Sequence, residues 1–189
     1  MGLLRWWRGR DGRAGTTRLD EWRSEWAAAV ATEDPGRIAD LRLSLDALGL
    51  TADDLEIEME MIEGLTALSG VAARLREGDL PVVETGHRVV GSDVCHFSAP
   101  ASIPDDPAQP GGRVILTGRR AIFAGGGRAT SIAWHQIVEV LQTERDLLFI
   151  LNDRETAHRF RFNSFADALS GAALSRHLAR RVRGRTTGL

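Results

Sequence analysis

The sequence predicts an α+β chain: N-terminal antiparallel helices, then seven short antiparallel strands, then one C-terminal amphipathic helix that caps them. Three observations predict it. Up to about residue 80, apolar residues recur at steps of three and four, the spacing of one helical face. Beyond Pro81 they alternate every two residues in short runs separated by Gly, Pro, Asp and Asn, the mark of strands and turns. From Ser164 the helical spacing returns.

The first half reads as three helices. Leu19, Trp22, Trp26 and Val30 line one face, with Thr17 as the expected cap and Asp20 in the first turn. Asp34-Pro35 is an oxygen cap before a proline at the first helical position. The stripe Ile38, Leu41, Leu45, Leu48 follows and Gly49 ends it. Thr51 opens a third helix with Asp53 and Asp54 near its positive end. Its apolar face runs from Leu55 through Met59, Ile62, Leu65 and Leu68 to Leu75. Gly64 and Gly70 each weaken it by about 1 kcal/mol relative to alanine.

The strands are expected at 94–103, 113–117, 120–124, 128–133, 136–142, 147–151 and 156–162. Pro100 must sit at an edge or a bulge. The loop 104–112 carries three prolines, which exclude it from a sheet interior. Gly118-Arg119 makes a tight hairpin, with Gly118 expected at positive φ. Gly125-Gly126-Gly127 makes another turn. Ser164 caps the last helix, which runs to about Val182.

Composition bounds the function. The chain has 189 residues, of which 43% are apolar, enough for a substantial core. Cys95 is the one cysteine, so no intramolecular disulfide forms. No apolar run approaches the roughly 18 residues of a membrane span, and the N-terminus has no signal-peptide pattern. The expected location is the cytoplasm. All 24 basic residues are arginine; such uniform replacement points to codon bias rather than to binding. Charge is unevenly placed, with four arginines against one acid in residues 1–13, six against fifteen in 14–80 and fourteen against ten in 81–189. The chain therefore divides into a basic aromatic tail (1–16), an acidic helical module (17–80) and a strand module with its terminal helix (81–189).

The segment Gly112-Arg113-Val114-Ile115-Leu116-Thr117-Gly118-Arg119-Arg120-Ala121-Ile122-Phe123 resembles the Gly-x-Leu-x-Leu-Thr-x-x-Arg-Leu-x-Phe hairpin of GRAM and bacterial pleckstrin-homology-like domains. Ile132-Ala133-Trp134-His135-Gln136-Ile137 is similar to their following strand start. The resemblance covers about residues 90–183 and implies a seven-stranded pleckstrin-homology-like barrel plugged by the C-terminal helix. It implies a binding module. Phosphoinositide binding does not follow, because the loop after the first strand holds Asp105 and Asp106 and no arginine before Arg113.

Few residues offer chemistry. His87, Cys95 and His96 are of metal-ligating types, but adjacent strand residues point to opposite faces and a fourth ligand is missing. No metal and no cofactor is expected. Gly125-Gly126-Gly127-Arg128 lacks the Lys and Ser/Thr of a phosphate loop. No nucleophile elbow, zinc-protease helix or dinucleotide fingerprint occurs, so no catalytic residue is assigned and the chain is read as a non-enzyme. In His158-Arg159-Phe160-Arg161-Phe162 the phenylalanines share a core face and the arginines a solvated one. Arg113, Arg119, Arg120 and Arg128 form a candidate anion surface. Leu3, Leu4, Trp6 and Trp7, with Arg5 and Arg8, form a candidate membrane contact, since tryptophan and arginine suit an anionic interface.

The sequence thus reads as a binding or scaffold protein that contacts another protein, with an anionic inner-membrane surface and self-association as further contacts. Two alternatives stand beside it. One is a small ligand-binding regulator or hydrolase with a cleft between helices and barrel, using His87, Cys95 or His135. The other is a weak nucleic-acid binder through the arginines of the last helix, although nucleic acid is not favoured as a partner.

Overall fold

The computed structural model describes residues 3–153 and 155–186, with side chains described between 17 and 184. The elements follow the expected order: α1 Leu3–Thr32, α2 Arg37–Asp46, α3 Glu56–Arg76, β1 Cys95–Ser102, β2 Gly111–Thr117, β3 Arg120–Gly125, β4 Arg128–Ala133, β5 Ile137–Thr143, β6 Asp146–Leu151, β7 Ala157–Phe162 and α4 Phe165–Thr186.

Three helix starts differ in detail from the sequence reading. Thr17 lies inside α1 and does not cap it. Asp34 Oδ1 accepts the Gly36 N–H at 2.9 Å, so Asp34-Pro35 forms a turn and α2 begins only at Arg37. Thr51 donates both its N–H and its hydroxyl to Asp54 Oδ2, at 3.3 and 2.6 Å, and a single 3-10 turn leads into α3. Gly49 does end the α2 segment, at φ +67°. The indoles of Trp22 and Trp26 join the three helices. Each is buried, and they donate to Leu41 O at 2.9 Å and Met61 O at 2.8 Å.

The seven strands form one antiparallel sheet in the order β4-β3-β2-β1-β7-β6-β5. A register shift marks a bulge between Cys95 and Phe97. Pro100 is accommodated because β1 meets β7 only at Ala101 and Ser102. The sheet wraps around one core as the expected barrel does, and β4 and β5 do not pair with each other, so the barrel is open along that seam. The 3-10 turn Trp134–Gln136 bridges that seam. It sends Trp134 into the core, where the indole donates to Thr117 O at 2.9 Å. The β5 edge is covered instead of paired. Arg176 and Arg183 of α4 donate to Val140 O and Val138 O, at 3.2 and 3.1 Å, which satisfies carbonyls an edge strand leaves open.

Helix α4 serves two cores. Ala168, Ala172, Leu174 and Leu178 pack inside the sheet with Trp134, Phe149 and Phe162. Phe165, Leu169 and Ala173 pack with Trp22, Trp26, Leu41 and Leu65 of the helices. The helical module therefore docks on the strands through α4. Gly64 explains how closely: a Cβ there would lie 2.8 Å from Phe165 Cβ. Ser164 caps α4 as expected, its Oγ accepting the Asp167 N–H at 3.1 Å.

A third apolar cluster was not foreseen. The outer face of β1–β3 is also buried: Cys95, Ile115 and Ile122 lie under Val83, Val89 and Val90. Residues 79–94 cross this face as a strap. Val83 N–H donates to Cys95 O at 2.9 Å, and Arg120 Nη2 donates to Val89 O at 3.4 Å.

Gly118 does not take the positive φ expected of it. Thr117 makes the turn instead, its Oγ1 accepting the N–H groups of Arg119 and Arg120 at 3.3 and 3.1 Å. The β3–β4 turn does use glycine, with Gly126 at +59° and Gly127 at +74°, the pair of left-handed residues that a two-residue hairpin favours.

Candidate functional site

Docking the helices on the sheet leaves an open cleft of about 1000 Å³ between them. Trp26, Ala27 and Val30 of α1 and Met61 of α3 form its apolar wall. The β5–β6 turn, Gln142 to Arg145, forms the facing wall. Arg161 and Phe162 of β7 and Arg176 of α4 line the space between. This is the place where a cleft was expected in the ligand-binding alternative.

Ion pairs hold the walls. Arg23 Nε donates to Glu58 Oε1 at 2.9 Å, and that carboxylate is 1% exposed. Glu60 of α3 joins three elements. Its Oε1 accepts the Phe165 N–H at 2.8 Å, at the start of α4. Its other oxygen pairs with Arg145 of the β5–β6 turn, and the Arg145 guanidinium lies 5.2 Å from the centre of the Phe165 ring. Arg161 Nε and Nη2 fork onto Asp146, at 2.7 and 2.9 Å, and Arg159 reaches the same carboxylate. Burial pushes the Asp146 carboxyl up, but the hydrogen bonds from Arg161 and Arg159 outweigh it and hold the group below the usual carboxylate range.

Arg176 differs from the other cleft arginines. It is half-buried, its Nε goes to Val140 O, and no carboxylate touches it among the described residues. Burial pushes its pKa down, and Glu33, another cleft residue, opposes that through space.

The structure separates the four arginines of the candidate anion surface. Arg119 and Arg120 lie at the β2–β3 turn and face Asp93, at 3.4 and 3.6 Å. Arg128 opens β4 at the far end of β3. Arg113, opposite Ala124 near that same end, donates to Ser98 Oγ and Ser98 O at 3.1 Å. The side chains of Leu3, Leu4, Arg5, Trp6, Trp7 and Arg8 lie outside the described residues. His87 is exposed at the strap and His135 is exposed in the 134–136 turn. Cys95 is buried under the strap, where burial raises its thiol pKa. His96 Nδ1 lies 2.7 Å from Pro81 O. No group of three or more metal-ligating side chains occurs among the described residues. No helix among them is long and apolar enough to cross a membrane. Phe160 and Phe162 are buried, and Arg159 and Arg161 point away to Asp146, as the alternation implies.

The sequence does not bring together Trp26, Arg145 and Arg176 of the cleft, or Glu60, which pairs with Arg145; Trp26 reads there only as a helix-face residue and Arg176 only as one of the arginines of the last helix. Glu60 and Phe165 are 105 residues apart, and Arg176 and Val140 are 36 apart. No local spacing signals such partners.

An antiparallel sheet ordered β4-β3-β2-β1-β7-β6-β5 with a helix packed into its open side decides the architecture. The fold is pleckstrin-homology-like. No family model matches the chain, and no curated protein matches it. Solved structures similar to it include the FERM and C-terminal domain complex of Drosophila Merlin, at 11% identity and a TM-score of 0.42, covering 49% of this chain and 31% of that one. The C-terminal domain of an unknown protein from Leishmania infantum is 12% identical with a TM-score of 0.41, covering 48% of this chain and 88% of that one. The Vav1 exchange factor, in a structure concerned with its PH and C1 domains, is 12% identical with a TM-score of 0.38. That match covers 87% of this chain and 45% of the other. The chain thus spans under half the length of the Merlin and Vav1 structures.

Proposed function

We propose that this protein is a non-enzymatic binding module that holds a segment of another protein in the cleft between its helices and its sheet. The observation that supports this reading is the composition of that cleft: an apolar wall of Trp26, Val30 and Met61 beside the guanidiniums of Arg161 and Arg176. Large aromatic and arginine side chains are the residues that dominate protein interfaces. The inside of the sheet is filled by its own core, which favours the cleft over the sheet interior as the place for a partner. Cys95 is buried while His87 and His135 are exposed, so the thiol has no imidazole base in hydrogen-bond contact among the described residues, which favours a binder over a hydrolase. The GRAM-like hairpin at 112–123 and the Leu-Trp-Arg pattern at 3–8 support the finer reading, in which the contact is made beside an anionic inner-membrane surface.

The test uses the full chain and an Ala27→Trp variant, which fills the cleft from an exposed position. Proteins cross-linked to the wild type in host lysate should be lost from the variant and retained by Arg128→Ala. An identical set on the wild type and Ala27→Trp would overturn the cleft as the binding site. Liposomes rich in anionic lipid should retain the full chain better than a chain lacking residues 1–13, and equal retention removes the membrane contact.

A further inference from the structure

Charge balance inside the cleft narrows what it can hold. Four arginines line it: Arg23, Arg145, Arg161 and Arg176. Three already face carboxylates of this chain, namely Glu58, Glu60 and Asp146. Arg176 alone of the four has no carboxylate in contact among the described residues. Its Nε is fixed by Val140 O, which anchors the guanidinium plane, and its terminal nitrogens make no hydrogen bond or ion pair there. Glu33 and Glu144 add negative charge to the lining. A polyphosphate would meet one available cation and two carboxylates. A single carboxylate meets a fixed two-pronged donor, the geometry that guanidinium favours. The wall beside it is apolar, so the groups flanking that carboxylate must be apolar too.

We propose that the cleft binds a partner-protein segment in which one Asp or Glu, flanked by large apolar side chains, pairs with Arg176 while its neighbours pack on Trp26, Val30 and Met61. This inference rests on the cleft being the binding site. The volume exceeds what one carboxylate needs and the cleft is open to solvent, as an extended peptide crossing it requires.

The test is selection of a phage-displayed random peptide library on the full chain. Enriched peptides should carry an acidic residue beside Leu, Phe or Trp. A chosen peptide, labelled for fluorescence polarisation, should bind Arg176→Gln about thirtyfold more weakly than wild type and Arg128→Gln within about twofold. Replacing the peptide's Glu by Gln should weaken binding to the wild type but add little to the Arg176→Gln loss, since the two changes remove one interaction. Glu33→Gln should tighten binding by removing a competing carboxylate. If Arg176→Gln melts early, Arg176→Lys keeps the charge without the fork and should weaken binding less than removal of the peptide's acid does. Additive losses in the cycle, or displacement of the peptide by an equal concentration of inositol hexakisphosphate, would overturn the proposal. Enriched peptides without an acid that still lose binding to Ala27→Trp would overturn the carboxylate and leave the cleft. Peptides that bind Ala27→Trp unchanged, or no enrichment at all, would overturn both.

Discussion

Glu60 accepts the backbone N–H of Phe165 at 2.8 Å. A side chain of the helical module thus closes the first turn of the helix that fills the sheet. The carboxylate sits at the positive end of α4 and also neutralises Arg145. Glu60→Ala removes the acceptor and leaves that N–H without it. The expected loss is about 1–2 kcal/mol, or about 2–8 °C in melting temperature. Glu60→Gln keeps an acceptor and should lose less. Thermal melts by circular dichroism check both. Equal melting of Glu60→Ala and wild type would contradict the link.

Two glycines of α3 should respond to alanine with opposite signs. Around Gly70 a Cβ meets nothing within 4 Å, so Gly70→Ala should stabilise by about 0.5–1 kcal/mol through helix propensity and chain entropy. At Gly64 the same atom meets Phe165 Cβ at 2.8 Å and the Phe165 carbonyl carbon at 3.1 Å. Backbone must move there, and overpacking costs about 1–3 kcal/mol, so Gly64→Ala should destabilise. Urea melts of the two variants decide. Stabilisation by Gly64→Ala would mean that α3 and α4 do not approach so closely.

How far the sequence reaches is visible in those same residues. The strands and α4 were legible because period-two alternation and turn residues are local signals, and the α4 cap needs only Ser164 and Asp167. Gly64 read as a weakness of α3 because propensity is a property of one helix, while its reason belongs to two. The strap was missed because residues 79–94 carry neither helical nor strand periodicity. They are held by single long-range bonds such as Val83 to Cys95 O. The cleft was legible only as a general place between modules. Its arginines gain meaning from carboxylates far along the chain, and only the folded structure shows that Arg176 lacks one among the described residues.

Asp146 makes part of the stability depend on pH. Its carboxyl is held below the ordinary range in the folded chain, since hydrogen bonds from Arg161 and Arg159 outweigh burial. A depressed folded-state pKa contributes stability that is present above the unfolded value, about 3.9, and lost as pH falls through the folded value. Asp146→Asn should therefore cost about 1–2 kcal/mol at pH 7, a figure reduced for the solvent exposure of the arginines. The difference between variant and wild type should shrink below about pH 4. Urea midpoints measured from pH 7 to pH 3 check the slope. A constant difference would contradict the assignment.

Cys95 reports on the strap. It is 3% exposed beneath Val83 and Val90, and burial raises its thiol pKa. In the native chain at pH 8 it should react with Ellman's reagent at least about a hundredfold more slowly than in urea. Val90→Ala should speed the native reaction by loosening the cover, with little change in the helices' circular dichroism. Native labelling as fast as in urea would mean that the strap does not cover Cys95.

Hydrogen exchange of the full chain, with and without a peptide selected for binding, tests the cleft most directly. Segments 23–33 and 141–146 should both slow when the peptide binds, because they form its two facing walls. Protection confined to one of them, or found instead at 128–133, would contradict the account.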